Sequence, residues 1–270
     1  MNTTVSFIGC GNMGSALARA VAASGVAERL FLCDPDTEKA KTLAAACGDL
    51  ATVADGKSAA AAADFLFLAV KPQIMNEALS ELAPTLAARE AGSFTLVSMA
   101  AGVSISGIEG MLGFSAPIIR IMPNTPCSLG AGVTVYAKNG AVTAENEATF
   151  AAMMQKSGML DPLDESLIDA ACALSGSGPA FVYLFAKSLA AAATACGLPP
   201  EKAATYAAGT LRGAADMLLA HGDPDALIRA VCSPGGTTLA GIGALRDANF
   251  EAVAGSAVTA AYRRAREMKK

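Results

Sequence analysis

Two kinds of hydrophobic pattern alternate along the first 160 residues. Short continuous apolar runs, which are typical of strands buried on both faces of a sheet, occur at 5–9, 30–33, 64–70, 94–100 and 117–123. Helical segments are predicted between them at 12–24, at 36–47 and after Pro72. Strands that alternate with helices over short connections predict an α/β fold with a doubly wound, Rossmann-type parallel sheet. A further strand at 132–137 and a helix at about 143–156 complete this half.

The pattern changes near residue 160, after which we find no strand pattern. Helices are predicted at 164–174, then to Cys196, at 200–221, at 224–231 and twice more before the end. We therefore predict a dinucleotide-binding domain over residues 1–160 and an all-helical domain over 161–270. Many helical positions there are apolar on more than one face, and such helices must be buried somewhere, so we expect homo-oligomers through this half.

Composition excludes several classes of protein. Of 270 residues, 53% are hydrophobic and 16% are charged, which indicates a folded chain rather than a disordered one. The net charge is −4, and basic residues cluster only in the tail, at Arg263, Arg264, Arg266, Lys269 and Lys270, as in the last turn of a terminal helix. We expect no nucleic-acid partner.

We also expect no membrane span, no metal site and a cytoplasmic location. The longest apolar stretch, about 180–198, contains Lys187 and several hydroxyl residues. The seven cysteines form no C-x-x-C pair, and His221 is the single histidine. Reduced, mostly buried thiols are the simplest interpretation. His221 precedes Gly222 at a predicted helix end, where capping is a better interpretation than catalysis.

A glycine-rich turn follows the first strand. In "VSFIGCGNMGSA" the spacing Gly9-x-Gly11-x-x-Gly14 connects a strand to an amphipathic helix. Gly9 permits a tight turn, Gly11 permits the close approach of a pyrophosphate, and Gly14 permits close packing of the helix on the strand. With Asn12 and Met13 between them, they predict a dinucleotide site at a helix N-terminus.

The cofactor is NADP or NAD. Asp34 follows the second strand, 20 residues after Gly14, where an acid binds the adenine ribose and disfavours NADP. Alternatively, Asp34 and Asp36 only cap the next helix. Lys39 and Lys41 are close enough in sequence to offset the repulsion, so the choice stays open.

A second part of the cofactor site is predicted after the strand at 64–70. Val70, Lys71 and Pro72 stand at the carboxyl end of that strand, and ligands of open α/β sheets gather at such ends.

Three other segments combine proline, glycine and small hydroxyl residues between apolar elements: "RIMPNTP" (120–126), "ALSGSGPAF" (173–181) and "VCSPGGTT" (231–238). Together with "IGCGNMG" and "VKPQ", they make the chain resemble the pyrroline-5-carboxylate reductase family over essentially its whole length. The resemblance implies a Rossmann domain, a helical domain that forms an intertwined dimer, and further assembly, commonly into decamers. It also implies reduction of the cyclic imine 1-pyrroline-5-carboxylate to proline with NADPH or NADH.

The same resemblance assigns the substrate site to the "SPGGTT" loop. Backbone N–H groups of Gly235, Gly236, Thr237 and Thr238, with the Ser233 hydroxyl, would hold the substrate carboxylate. N–H groups at a helix start bind anions without a basic side chain, which agrees with this assignment. Thr238 would direct its hydroxyl at the imine nitrogen as the catalytic residue, either handling a proton or positioning the ring.

Two other functions remain possible from the sequence. A β-hydroxyacid dehydrogenase or a different imine reductase has a similar start, but usually places a catalytic lysine in its helical half; here Lys187 and Lys202 lack a glycine-rich context. A non-catalytic protein that senses the nucleotide would need no second pocket, and the "SPGGTT" loop argues against it.

Overall fold

The computed structural model describes residues 3–267. Lys269 and Lys270 of the predicted basic tail lie outside this range. The strands of the described chain are β1 (Thr3–Ile8), β2 (Ala27–Cys33), β3 (Ala51–Val53), β4 (Phe65–Leu68), β5 (Thr95–Ser98), β6 (Ile118–Met122), β7 (Gly132–Lys138) and β8 (Gly158–Pro162). The first six α-helices are α1 (Asn12–Ser24), α2 (Thr37–Cys47), α3 (Gly56–Ala62), α4 (Met75–Ala87), α5 (Ile105–Leu112) and α6 (Ala144–Met154). The later ones are α7 (Ile168–Ala171), α8 (Gly178–Ala195), α9 (Pro200–His221), α10 (Pro224–Val231), α11 (Thr237–Asp247) and α12 (Phe250–Glu267).

All these strands join one sheet in the order β3-β2-β1-β4-β5-β6-β7-β8. Neighbours are parallel from β3 through β6, then β7 runs antiparallel to β6 and β8 parallel to β7. Helices α1, α2 and α6 bury their apolar side chains on one face, and α3, α4, α5 and α7 on the other. The predicted doubly wound α/β fold is confirmed.

Three elements were missed by the sequence prediction. Strand β3 has three residues, β8 contains a glycine, an aspartate and a proline, and α5 contains two glycines. Each of them lacks an apolar pattern long enough to identify a strand or a helix. What holds such a short element in place is its contact with neighbours that are distant in sequence.

The predicted helix at 164–174 is also not one regular helix. A 3-10 turn at Glu165–Leu167 leads into α7, and a π-helical segment follows at Cys172–Gly176.

The chain folds into two compact units. Of the described residues, one unit contains 3–177 and 261–267 with the whole sheet, and the other contains 178–260. The boundary that the sequence indicates, near residue 160, stays a prediction.

The helical unit, residues 178–260, buries little of its apolar surface. Helix α8 packs along α9, and the rings of Phe185 and Phe250 lie 5.5 Å apart. Within this fully described range, the buried hydrophobic side chains belong to Ala203 and Ala207.

Between residues 3 and 267, one helical run, Glu165–Ala195, is long and apolar enough to cross a membrane by length and composition alone, and 17% of its most apolar window is buried. That test is weak evidence, so the expected absence of a membrane span stays a prediction.

Candidate functional site

The glycine-rich turn leaves the carboxyl end of β1 in a conformation that only glycine adopts easily. Gly9 has φ +106°, and a Cβ there would lie 2.6 Å from the carbonyl oxygen of Ala69. Its N–H donates to the carbonyl of Cys33 at 2.7 Å. At Gly14 a Cβ would lie 2.9 Å from the Ala69 Cβ, so α1 packs closely on the residue that follows β4. The roles predicted for these two glycines agree with this geometry.

Gly11 differs from both, because an added Cβ would meet nothing within 4 Å. It is the N-cap of α1, and no side chain caps this helix start within the described chain. Asn12 and Met13 form the first turn, where backbone N–H groups lack intrahelical partners. Open space in front of unpaired donors fits a dinucleotide pyrophosphate.

Asp34 is fixed beside this turn. One carboxylate oxygen accepts the N–H of Cys10 at 2.7 Å, and the other accepts the N–H of Asp36 at 2.9 Å. Each oxygen keeps further acceptor capacity. Asp34 therefore lies against the glycine-rich turn, as a ribose-binding acid would.

The capping role belongs to Asp36 instead. Its side chain accepts the N–H of Lys39 at the start of α2, and it forms an ion pair with the Lys39 ammonium at 3.1 Å. The hydrogen bond from Lys39 lowers the pKa of Asp36. Asp36 thus takes the capping role that the sequence allowed for both acids, and ribose binding by Asp34 stays a prediction.

The segment after β4 completes this edge of the sheet. Val70 is half-buried, and the N–H of Ala69 donates to the carbonyl of Ile8 at 2.8 Å. Lys71 is exposed and precedes a 3-10 turn that Pro72 begins. The predicted cofactor residues thus gather at the carboxyl ends of β1, β2 and β4, where open α/β sheets bind ligands.

A cavity of about 330 Å³ opens at the same edge, lined in part by Gly9, Asp34 and Val70. Three further carboxylates line it: Asp55 after β3, and Glu77 and Glu81 on α4. The sequence prediction missed all three. Asp55 lies two residues after the three-residue strand β3 and is the N-cap of α3, a position that no long apolar pattern marks in the sequence.

Two buried thiols lie at the glycine-rich turn: Cys10 belongs to the turn and Cys33 ends β2. Burial raises the pKa of Cys10 to about 11, with the charge of Asp34 adding to the effect, and burial raises the pKa of Cys33 to about 12. Both thiols are therefore protonated at neutral pH and poor nucleophiles. The described residues contain no cluster of side chains suited to a metal ion.

The second predicted site lies in the helical unit. Residues 232–236 form a loop that is exposed at 233–235, in which Gly235 has φ +70° and Gly236 is the N-cap of α11. The N–H of Gly236 donates to the carbonyl of Ser233 at 2.9 Å, so it is already used inside the turn. Thr237 and Thr238 begin the helix, and their N–H groups belong to the first turn, which has no intrahelical acceptors. Of the four predicted backbone donors, Gly236 is thus already bonded within the turn, which leaves the N–H groups of Gly235, Thr237 and Thr238.

His221 is exposed in the last turn of α9, which ends at Gly222 with φ +79°. This position agrees with the interpretation as a helix-terminal residue rather than a reacting one.

Two polar residues of β6 and the loop after it were not singled out from the sequence. Arg120, 1% exposed, pairs with Glu165 at 3.1 Å and with Asp169 at 3.4 Å. Asn124 accepts the N–H of Val133 at 2.8 Å and donates to the carbonyl of Ser175 at 2.9 Å. They bind the segment 165–175 to the sheet.

Comparison with known proteins identifies relatives over the whole length. A family model described as pyrroline-5-carboxylate reductase dimerisation matches residues 165–268, and one described as NADP oxidoreductase, coenzyme F420-dependent, matches residues 4–102. Pyrroline-5-carboxylate reductase of Escherichia coli is 35% identical, with all of both chains covered.

Solved structures agree. A pyrroline-5-carboxylate reductase from Coxiella burnetii is 33% identical with a TM-score of 0.90, covering all of both chains. The Plasmodium falciparum pyrroline carboxylate reductase, solved with NADP bound, is 30% identical with a TM-score of 0.87, covering 100% of this chain and 99% of that one.

Proposed function

Because the chain belongs to the pyrroline-5-carboxylate reductase family, we propose that it reduces 1-pyrroline-5-carboxylate to proline with NADPH or NADH. In the geometry, the observation that carries this proposal is the glycine-rich turn, whose Gly11 faces open space at the unpaired start of α1. The dehydrogenase and nucleotide-sensor alternatives lose their support, since the similarity extends through both halves of the chain.

The residues of this chain would act mainly by position and polarity. The bound reduced nicotinamide supplies a hydride for the imine carbon. Gly11, Asn12 and Met13 would hold the pyrophosphate at the start of α1, Gly9 and Gly14 would shape the turn that presents them, and Asp34 would hold the adenine ribose. Val70, Lys71 and Pro72 flank the cofactor from the end of β4.

The substrate carboxylate is assigned to the loop before α11. The N–H groups of Thr237 and Thr238 bind it at the positive end of the helix, with the Ser233 hydroxyl. Gly235 and Gly236 permit the close approach, because glycine adds no side chain. The Thr238 hydroxyl would contact the imine nitrogen, and the imine carbon accepts the hydride best while that nitrogen keeps its proton.

We further propose that residues 161–270 form the dimer contact and bind the substrate, and that the protein acts in the cytoplasm. The dimerisation model matches most of this range. All seven cysteines are free, as a reducing compartment requires.

The test is steady-state oxidation of NADPH and NADH in the presence of 1-pyrroline-5-carboxylate, with proline identified as the product. Turnover with at least one cofactor is expected. No turnover with either would remove the assignment.

Thr238→Ala should lower kcat by at least about tenfold, because one hydrogen bond to the reacting group is lost. Its unfolding midpoint and cofactor affinity should stay unchanged. Thr205→Ala is the matched control, since the Thr205 hydroxyl only donates to the Glu201 carbonyl within α9. A wild-type rate in Thr238→Ala would exclude Thr238 from the mechanism.

A further inference from the structure

From the charges that surround the adenosine end of the cofactor site, we infer that this protein binds NADH in preference to NADPH. The inference deepens the proposed function and rests on it, because it concerns the cofactor of the same reaction. NADPH differs from NADH only by a phosphate on the ribose that Asp34 is placed to bind. The charges near Asp34 therefore decide between the two cofactors.

Asp34 is held rigidly in the position that favours a free ribose. Both of its carboxylate oxygens accept a backbone N–H, from Cys10 and from Asp36. It therefore cannot turn away without leaving these two donors unpaired, which costs free energy. A 2′-phosphate placed at this carboxylate meets a fixed negative charge.

The cavity beside Asp34 is lined by further negative charges. Asp55, Glu77 and Glu81 line it together with Asp34, and no lysine or arginine is among its described lining residues. The Ser58 hydroxyl donates to Asp55 at 2.6 Å, which lowers the pKa of that carboxyl and keeps it ionised at neutral pH. Four carboxylates around about 330 Å³ create a potential that repels phosphate.

The nearby lysines do not reverse this field. Lys39 lies 3.1 Å from Asp36, and Lys41 lies 2.8 Å from Glu38. A phosphate that drew the Lys39 ammonium away would leave the Asp36 carboxylate beside it without its ion pair. Arg19 and Lys39 also line a shallow hollow next to the turn, but Asp36 and Glu38 line it as well, so its cations and carboxylates are equal in number.

The experiment is a calorimetric titration of the full-length protein with NADH and with NADPH, without imine substrate. We expect the Kd for NADH to be about tenfold lower or more, since like charges at close range are strongly unfavourable. The preference should shrink as salt rises from about 0.05 to about 0.5 M, because salt screens charge repulsion and leaves steric exclusion unchanged.

Asp34→Asn should reduce the preference by weakening NADH binding and strengthening NADPH binding. The asparagine keeps one acceptor oxygen for the backbone, and thermal unfolding checks that the variant is folded. Glu28→Gln is the matched control: it removes the same charge from the opposite end of β2, and its ratio of Kd values should equal the wild-type ratio.

NADPH binding as tight as NADH binding in the wild-type protein would overturn the inference, and this result does not depend on any variant. If folded Asp34→Asn kept the wild-type ratio of the two Kd values, Asp34 would not be the cause of the preference for NADH. Failure of the proposed function looks different: NADH would still bind more tightly, but 1-pyrroline-5-carboxylate would not be reduced.

Discussion

At the scale of single residues, Gly9 and Gly11 are two apart in sequence but meet different constraints. Gly9 is required by the chain itself, since its φ is positive and the Ala69 carbonyl occupies the place of a Cβ. Gly11 has an ordinary extended backbone, with φ −69° and ψ −177°, and free space around it. Folding therefore explains Gly9, whereas ligand binding explains Gly11.

This difference predicts opposite results for two alanine substitutions. Gly9→Ala should lower the free energy of unfolding by about 2 kcal/mol or more, from strain and overlap. Gly11→Ala should change it by less than about 1 kcal/mol. The same Gly11→Ala change should weaken NADH and NADPH alike by about tenfold or more, because its methyl group occupies the space for the pyrophosphate.

Urea unfolding and cofactor titration measure the two quantities, and each variant is the control for the other. Equal losses of stability would contradict the structural distinction. Wild-type cofactor affinity in Gly11→Ala would show that the pyrophosphate lies elsewhere.

At the scale of elements, β6 and the loop after it hold the irregular segment that ends the sheet-containing unit. Arg120 anchors its start through Glu165 and Asp169, and Asn124 anchors its end through the Ser175 carbonyl. A π-helical segment shifts the hydrogen-bond ladder by one residue, and such segments are frequent at functional sites. The Asn124 amide supplies a donor to a carbonyl of that segment.

The buried arginine gives a prediction for this anchor. Arg120→Met should lower the free energy of unfolding by about 3–5 kcal/mol, because the buried Asp169 loses its ion pair with Arg120. Lys41→Met is the control: that pair is exposed, and we expect a change below about 1 kcal/mol. Urea unfolding of both variants is the measurement, and a loss near zero for Arg120→Met would contradict the anchoring role.

At the scale of the whole molecule, the helical unit leaves large apolar side chains in contact with solvent. Leu184 is 65% exposed and Leu219 is 74% exposed, while the buried hydrophobics of residues 178–260 are two alanines. Apolar area of this kind is typical of an interface between subunits. A dimer contact here would also account for the apolar run Glu165–Ala195 without a membrane.

The prediction is that the protein sediments as a dimer or a larger assembly at micromolar concentration, and that its melting temperature rises with concentration. Replacing Leu184 and Leu219 together with aspartate should shift it toward monomer. Met159→Asp is the control, because Met159 is 49% exposed on β8 of the sheet. Analytical ultracentrifugation decides, and an unchanged assembly in the double variant would place the interface elsewhere.

The outline of this protein follows from sequence patterns that are local. Glycine spacing and apolar periodicity over 3–24 determine a strand, a tight turn and a helix, because each depends on neighbours within a few residues. The bounds of α9 and α10 follow from the prolines, the glycine and the aspartate at their ends. Family motifs then assign the reaction.

Only the tertiary structure decided which charges share the cofactor site. Asp34 and Asp55 follow β2 and β3, which the strand order β3-β2-β1-β4 places side by side, and Glu81 lies within α4; all three line one cavity. The Asp36–Lys39 pair is different, since its two residues are three apart at the start of one helix and their spacing in sequence suffices to bring them together. Which carboxylates share a cavity depends on distances between elements that are far apart in sequence, and the order of residues does not give those distances.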